Sequence, residues 1–340
     1  MQILENVSLK PYNTFGIDVL AKSFATFSSL EELKEIQTYE QKSNSSFKKL
    51  VLGGGSNILL IQNFEGLVLK NELKGIELVK EDDDYYYVKV SAGEQWHGFV
   101  LYCIQHNYAG VENLSLIPGN TGASPMQNIG AYGVEIKDVF HELEAYHLKD
   151  KALQTFSLKD CAFGYRESVF KNKYKDQFVL LNVTFKLLKR PQFNTTYGSI
   201  TKELDRMEIQ EVNIQAISQA VINIRTAKLP DPKVIGNAGS FFKNPIVSKY
   251  RWHVIWEQYK EVAAYTSDNL TYKIAAGWMI EQCGWKGFRK GNVGCHPLQS
   301  LVLVNYGNAT GQEIYDLSSE IILSVKSKFG IELEREVNII

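Results

Sequence analysis

Three polar side chains stand in company that could support chemistry. Arg166 lies in Phe163-Gly164-Tyr165-Arg166-Glu167-Ser168, a cation set among glycine and aromatic residues. Ser240 lies in Gly236-Asn237-Ala238-Gly239-Ser240-Phe241-Phe242-Lys243-Asn244-Pro245, after small residues that allow close approach and before two aromatics that exclude water. Glu336 sits with Glu334 in a tail that also holds Leu333, Val337 and Ile339. By the two-residue period of a strand, the two acids share one face, opposite the apolar set. Each pattern also has a plainer reading: a surface arginine, a glycine turn feeding a buried strand, a solvent-facing strand. Ser240 is not in G-x-S-x-G, so an α/β-hydrolase nucleophile is not indicated.

A long loop over residues 117–133, IPGNTGASPMQNIGAYG, is the stretch the chain is organised around. Gly119, Gly122, Gly130 and Gly133 remove Cβ atoms at close intervals, so the backbone can take positive φ and approach a ligand. Ser124, Gln127 and Asn128 add short side-chain donors. Successive free amides in such a loop form an anion-binding concavity. A shorter stretch, Gly53-Gly54-Gly55-Ser56-Asn57, follows an apolar run and precedes another. A dinucleotide fingerprint needs a third glycine and a following helix, and a P-loop needs Gly-Lys-Ser/Thr; neither is present. If these loops hold phosphate, they do so outside the two commonest nucleotide folds; the alternative is a hairpin turn beside a surface loop.

The elements that must position these groups are legible in part. Strand-like runs fall at 49–52, 58–61, 66–69, 85–90, 140–148, 153–157, 178–188 and 301–305, and the tail 331–340 also reads as strand. Helical spacing marks 96–105, 217–225, 247–259 and 275–283, and Ser28 or Ser29 caps a helix through Gln37. The clearest helix is 310–329, with a Thr310/Glu313 capping box and Gly330 as its stop. Pro230 and Pro232 break the chain at a boundary.

The 340 residues exceed the ~100–200 of one domain, so more than one is expected. A net charge of −1 gives no field favouring nucleic acid or an anionic membrane. No apolar run approaches the ~18 residues of a membrane span, and the N-terminus has neither the basic lead nor the apolar core of a secretory signal. Cys103, Cys161, Cys283 and Cys295 form no C-x-x-C, and no His pair has metal-ligand spacing, so reduced thiols in a cytoplasm and no metal are expected.

Taken in order, Gly53–Asn57, the 117–133 loop, GYRES at 164–168, KLPDPK at 228–233, GNAGSFFKNP at 236–245 and the Glu336 tail resemble the UDP-N-acetylenolpyruvoylglucosamine reductase family almost end to end. The segment around Tyr197-Gly198 resembles its longer, type I form. The resemblance implies an α+β fold, the FAD-binding type of vanillyl-alcohol oxidase relatives, with a separate C-terminal substrate domain. It implies an N-terminal part of the FAD-binding region at 1–72 and a second subdomain at 73–228, the FAD-binding region overall covering about 17–190. It further implies a substrate domain at 229–330 and a tail at 331–340 returning to the active site.

Non-covalent FAD would be held by Gly53, Gly54, Gly55, Ser56, Asn57, Pro118, Gly119, Gly122, Ala123, Ser124, Gln127, Asn128 and Gly130, with Arg225 near the flavin or substrate. NADPH would reduce the flavin and leave, and a sugar-nucleotide enolpyruvyl ether would enter the same cleft. Ser240 would donate the proton, and Arg166 and Glu336 would face the enolpyruvyl carboxylate as flavin N5 delivers hydride. Tyr197, Lys228 and Asn244 would contact the diphosphate. A monomer with no nucleic-acid or membrane partner is implied. Departures from the family pattern are Arg335 where some relatives have Pro, Asn338 where relatives have Arg, and the polar pair Asn120-Thr121. Competing readings are a flavoprotein oxidase or dehydrogenase of the same FAD-binding superfamily, acting on another hydroxy acid or sugar, and a nucleotide-binding regulatory or scaffold protein without turnover.

Overall fold

Long alternating runs rich in Val, Tyr and Phe build the largest sheet. It contains five strands in the order Leu153–Ser157, Phe140–His147, Phe178–Leu188, Tyr85–Ser91, Ile76–Glu81, every neighbouring pair antiparallel. The computed structural model describes residues 2–42, 48–266 and 270–340. One face of this sheet is covered by the helix Trp96–Gln105, whose Trp96, Phe99, Val100 and Cys103 join Val88, Val183 and Phe185 in a buried core. A second sheet runs Ile3–Ser8, Leu20–Phe27, Phe64–Asn71, Lys48–Leu52, the last two parallel, and packs with the helix Leu30–Lys42 through Leu33 and Ile36. The helices Gly198–Arg206 and Ile214–Lys228 pack on each other through Ile200, Leu204, Ile217 and Val221.

The chain divides into two compact units. The first comprises Met1–Val7, Ala21–Gly54 and Glu65–Ala227, and the second Ser8–Leu20, Gly55–Phe64 and Lys228–Ile340. The break at 227/228 lies beside the proline boundary, but two N-terminal segments that the linear division assigned to the FAD-binding region group with the C-terminal unit.

Within the second unit the reason is steric. A Cβ on Gly55 would lie 2.0 Å from the Tyr12 carbonyl oxygen, and one on Gly236 would lie 2.2 Å from that of Phe15. The 8–20 segment is thus seated backbone against backbone, with Thr14 N donating to Gly55 O and Asn237 N donating to Thr14 O. The unit's main sheet is antiparallel, in the order Gly236–Ser240, Val302–Asn305, Val293–Cys295, Arg289–Lys290. The helix Gly311–Phe329 has its Thr310/Glu313 capping box and a left-handed Gly330.

Several sequence expectations are corrected. The tail is a strand only over Asn338–Ile339, which pairs parallel with Ile58–Leu59; residue 335 makes an isolated bridge to Phe242. The run at 58–61 therefore shortens to Ile58–Leu59. The helix expected from 247 begins at Lys249, because Ile246–Ser248 is a strand and Ser248 Oγ caps the helix by accepting from Arg251 N. The helix expected from 217 already begins at Ile214.

Candidate active site

The two glycine stretches meet in the first unit. A Cβ on Gly54 would lie 2.8 Å from Gly119 Cα and 2.7 Å from Asn120 Oδ1. Asn120 is pinned there, its Nδ2 donating to the Gly93 carbonyl at 2.7 Å. Among the described residues, the amides of Gly54 and Gly119 make no hydrogen bond. The rest of the loop is ordered by its own backbone: Thr121 N donates to Glu94 O, Gly122 N to Ala92 O and Ser124 N to Thr121 O. Far from being featureless, it holds a 3-10 turn at Thr121–Ala123 and ends in a hairpin, Gly130–Ala131 with Val134–Glu135.

The loop residues divide by job. Gly122 is required by packing, since its Cβ would strike that of Ala92 at 2.5 Å. Ser124 is buried and donates its hydroxyl to Thr121 O. Asn128 is buried with its side chain engaged on three protein partners, so it braces the loop instead of offering a free amide to a cofactor. Pro118 and Ala123 are exposed, and Gln127 and Ser56 half-buried.

Arg166 stands at the tip of a tight hairpin closed by Gly164 and Glu167, with φ +56°. Its Nη2 donates to the Gly130 carbonyl at 2.7 Å. Gly130 makes this approach possible, because a Cβ would lie 3.2 Å from Arg166 Nη1. Arg225, on the helix Ile214–Lys228, is buried near Tyr132, and burial lowers its pKa from the ordinary value. Tyr132 has positive φ and meets Tyr197 edge to face at 5.7 Å. Burial also lowers the pKa of His97, with the Arg225 charge a smaller cause, and its Nδ1 accepts from Leu116 N. Tyr132 and His97 escaped sequence reasoning; the aromatic between Gly130 and Gly133 was the available signal.

In the second unit, Ser240 ends the strand Gly236–Ser240 and is exposed. The register shifts between Asn237 and Ser240, and Gly239 takes φ +69° with open space where a Cβ would stand. Such a bulge re-aims a side chain. Asn237, another residue missed in the sequence, holds the bulge: its Oδ1 accepts from Gly239 N and its Nδ2 donates to the Ile235 and Pro230 carbonyls. Glu336 is brought alongside, its amide donating to Phe241 O at 2.8 Å, one residue from Ser240. It is buried, against the alternation that would place it on a solvent face with Glu334. Asn57 Nδ2 donates to the Glu336 carbonyl, and both Asn338 N and Asn338 Nδ2 donate to Asn57 O. Lys243, buried, pairs with Glu334 at 2.6 Å. Arg335 donates to Ser318 Oγ and Ser319 Oγ and lies 4.3 Å over the Tyr315 ring. Asn244 Oδ1 accepts from Ala276 N at the start of the helix Ala276–Gln282, and Lys228 is exposed.

Arg166, Arg225 and Tyr197 thus belong to the first unit, and Ser240, Glu336, Lys228 and Asn244 to the second. Among the described residues no His/Cys/Asp/Glu group could hold a metal, and no helix is long and apolar enough to cross a membrane.

A paired glycine cradle with two free amides suits a pyrophosphate. Among the described residues, the buried polar atoms without partners include Thr121 Oγ1 in the glycine loop and Arg225 Nε, each costly unless a further group satisfies it. The residues therefore fit a bound dinucleotide. A family model described as an FAD binding domain matches residues 21–153, and one described as the C-terminal domain of UDP-N-acetylenolpyruvoylglucosamine reductase matches 231–340. Proteins named UDP-N-acetylenolpyruvoylglucosamine reductase from Flavobacterium johnsoniae and Amoebophilus asiaticus are 51% and 47% identical, each over 100% of both chains. The crystal structure of the enzyme of that class from Thermus caldophilus superposes with TM-score 0.69 at 23% identity, covering 100% of this chain and 99% of that one, a likeness of fold. Fold and site together define an FAD-containing oxidoreductase of α+β architecture with a separate C-terminal domain. The chain belongs to the UDP-N-acetylenolpyruvoylglucosamine reductase family, flavoenzymes of peptidoglycan precursor synthesis.

Proposed function

We propose that this protein, acting in the cytoplasm as a monomer with one non-covalent FAD, uses NADPH to reduce the enolpyruvyl ether of UDP-N-acetylglucosamine to UDP-N-acetylmuramate. The observation that carries the reading is the bulged end of the Gly236–Ser240 strand, which exposes Ser240 beside a buried Glu336. Gly54 and Gly119 would hold FAD, which, once reduced by NADPH, would supply a hydride from N5. Hydride addition to an enol ether bearing a carboxylate accumulates negative charge, and fixed donors at that charge are usually the largest catalytic term. Arg166, clamped on the Gly130 carbonyl, is the cation for that carboxylate. Ser240 gives its proton to the enol carbon. Glu336 is the acidic group that serves the enolate-like species. Lys228, Tyr197 and Asn244 bind the diphosphate; Lys228 is exposed at a helix end, where a mobile point charge can reach phosphate.

The test is an absorbance spectrum of the purified protein followed by anaerobic titration. A yellow protein, bleached by NADPH, recoloured by the enolpyruvyl sugar nucleotide and giving up its flavin on denaturation, is the expected result. A colourless protein that takes up no FAD would refute the reading, as would reduced flavin that only dioxygen reoxidises.

A further inference from the structure

A non-glycine residue with the left-handed backbone of Arg166 is strained, so its surroundings must hold it in place. Asn128 does much of this. It is fully buried, with φ +46°. Its Nδ2 donates to Glu135 Oε2 and to the Gly164 carbonyl, each at 3.0 Å. Its Oδ1 accepts from Lys137 N at 3.0 Å, and its carbonyl accepts from Arg166 Nη1 at 3.5 Å. One side chain thus ties the end of the glycine loop, the Gly130–Glu135 hairpin and the base of the Arg166 hairpin. Glu135 is itself fixed by Lys137 Nζ at 2.9 Å, and Ser168 Oγ stitches the same hairpin to Met126 O. An asparagine amide has two hydrogens to give, and both are spent inside the protein.

We propose that Asn128 is a positioning residue for the reduction of the enolpyruvyl group, acting through Arg166 by fixing the guanidinium's direction, and that its side chain does not touch the cofactor. The proposal rests on the role given to Arg166 above.

Asn128→Gly tests it, because glycine keeps the left-handed backbone without strain and deletes only the side-chain bonds. A misplacement of about 1 Å at a reacting group can cost ~100-fold. Flavin recolouring by the enolpyruvyl sugar nucleotide should therefore slow roughly 10- to 100-fold, while bleaching by NADPH and FAD affinity by fluorescence titration stay near wild type. In an Arg166→Ala background, Asn128→Gly should slow recolouring no further, the non-additivity of two residues acting as one. Equal losses in both backgrounds, weakened FAD binding or slowed bleaching would overturn the proposal. Wild-type recolouring in Arg166→Ala alone would instead remove the role of Arg166 on which it rests. Should Asn128→Gly fail to fold, Asn128→Asp provides the same readouts, keeping Oδ1 for the Lys137 amide while turning both donations into repulsions.

Discussion

Gly54→Ala isolates the contact between the two glycine stretches. Gly54 has no positive φ, so alanine is conformationally acceptable and only space opposes it. The new methyl would stand 2.8 Å from Gly119 Cα and 2.7 Å from Asn120 Oδ1. Carbon pairs settle at about 3.5–4.0 Å, so the stretches must separate by close to 1 Å. Gly119 contributes backbone, and Asn120 is held by its bond to Gly93 O, so neither neighbour swings away freely. Overpacking of this kind costs ~1–3 kcal/mol. A 1 Å separation also pulls apart the free amides that would share one pyrophosphate, each worth ~1.5–3 kcal/mol toward a charged acceptor. FAD affinity should therefore drop roughly 10- to 100-fold, at 1.4 kcal/mol per factor of ten. Gly53→Ala is the internal control: its methyl would meet Asn120 Cβ at 3.4 Å, an ordinary contact, and should cost far less. Flavin fluorescence titration of both apo variants reads the difference. Equal affinities for Gly54→Ala and wild type, with unfolding also unchanged, would show that the two stretches do not form the cradle.

Three further outcomes are expected. Ser240→Ala should leave flavin bleaching by NADPH near wild-type speed and slow recolouring by substrate roughly 10²–10⁴-fold, the worth of a positioned general acid; stopped-flow traces with both phases normal would remove Ser240 from the reaction. Arg335→Ala loses two hydrogen bonds and a ring contact just before Glu336, so the denaturant midpoint should drop by an equivalent of ~1–3 kcal/mol and kcat should fall; an unchanged kcat would show that the tail presents Glu336 without that anchor. His97 has a folded-state pKa depressed from 6.5 by burial and then by Arg225, so the unfolded chain takes up the proton first. Its contribution to stability is full above 6.5 and is lost as pH falls through the depressed value. Thermal midpoints measured across that window should decline less in His97→Asn, whose Oδ1 can still accept from Leu116 N; identical slopes would refute the assignment.

What the sequence disclosed was local. The helix Gly311–Phe329 was legible because its capping box and glycine stop lie within a few residues of its own ends. The glycine stretches were legible because absent Cβ atoms leave a signature in composition. Burial of Glu336 was not, since alternation treats a tail as one strand, whereas this tail bridges Phe242 and then pairs with Ile58–Leu59. The grouping of 8–20 and 55–64 with the C-terminal unit was equally hidden, because it depends on Gly55 and Gly236 meeting carbonyls remote in sequence. Asn128 looked like one more donor in a loop that could hold phosphate; only its bonds to Glu135, Gly164 and Lys137 reveal a brace.

The parallel pairing of Asn338–Ile339 with Ile58–Leu59 has a consequence for the order in which the protein can be made. Ribosomes extend chains at about 5–20 residues per second, and 338 − 58 gives 280 residues between the paired positions. For roughly 15–60 seconds, on that rate, the Ile58 edge has no strand to receive it, and the short apolar segment behind Gly55 must wait. The first unit's five-stranded sheet, complete once Leu188 has emerged, faces no such delay. A nascent chain is therefore a folded sheet carrying an unpaired strand edge, the kind of surface to which chaperones and neighbouring nascent chains add.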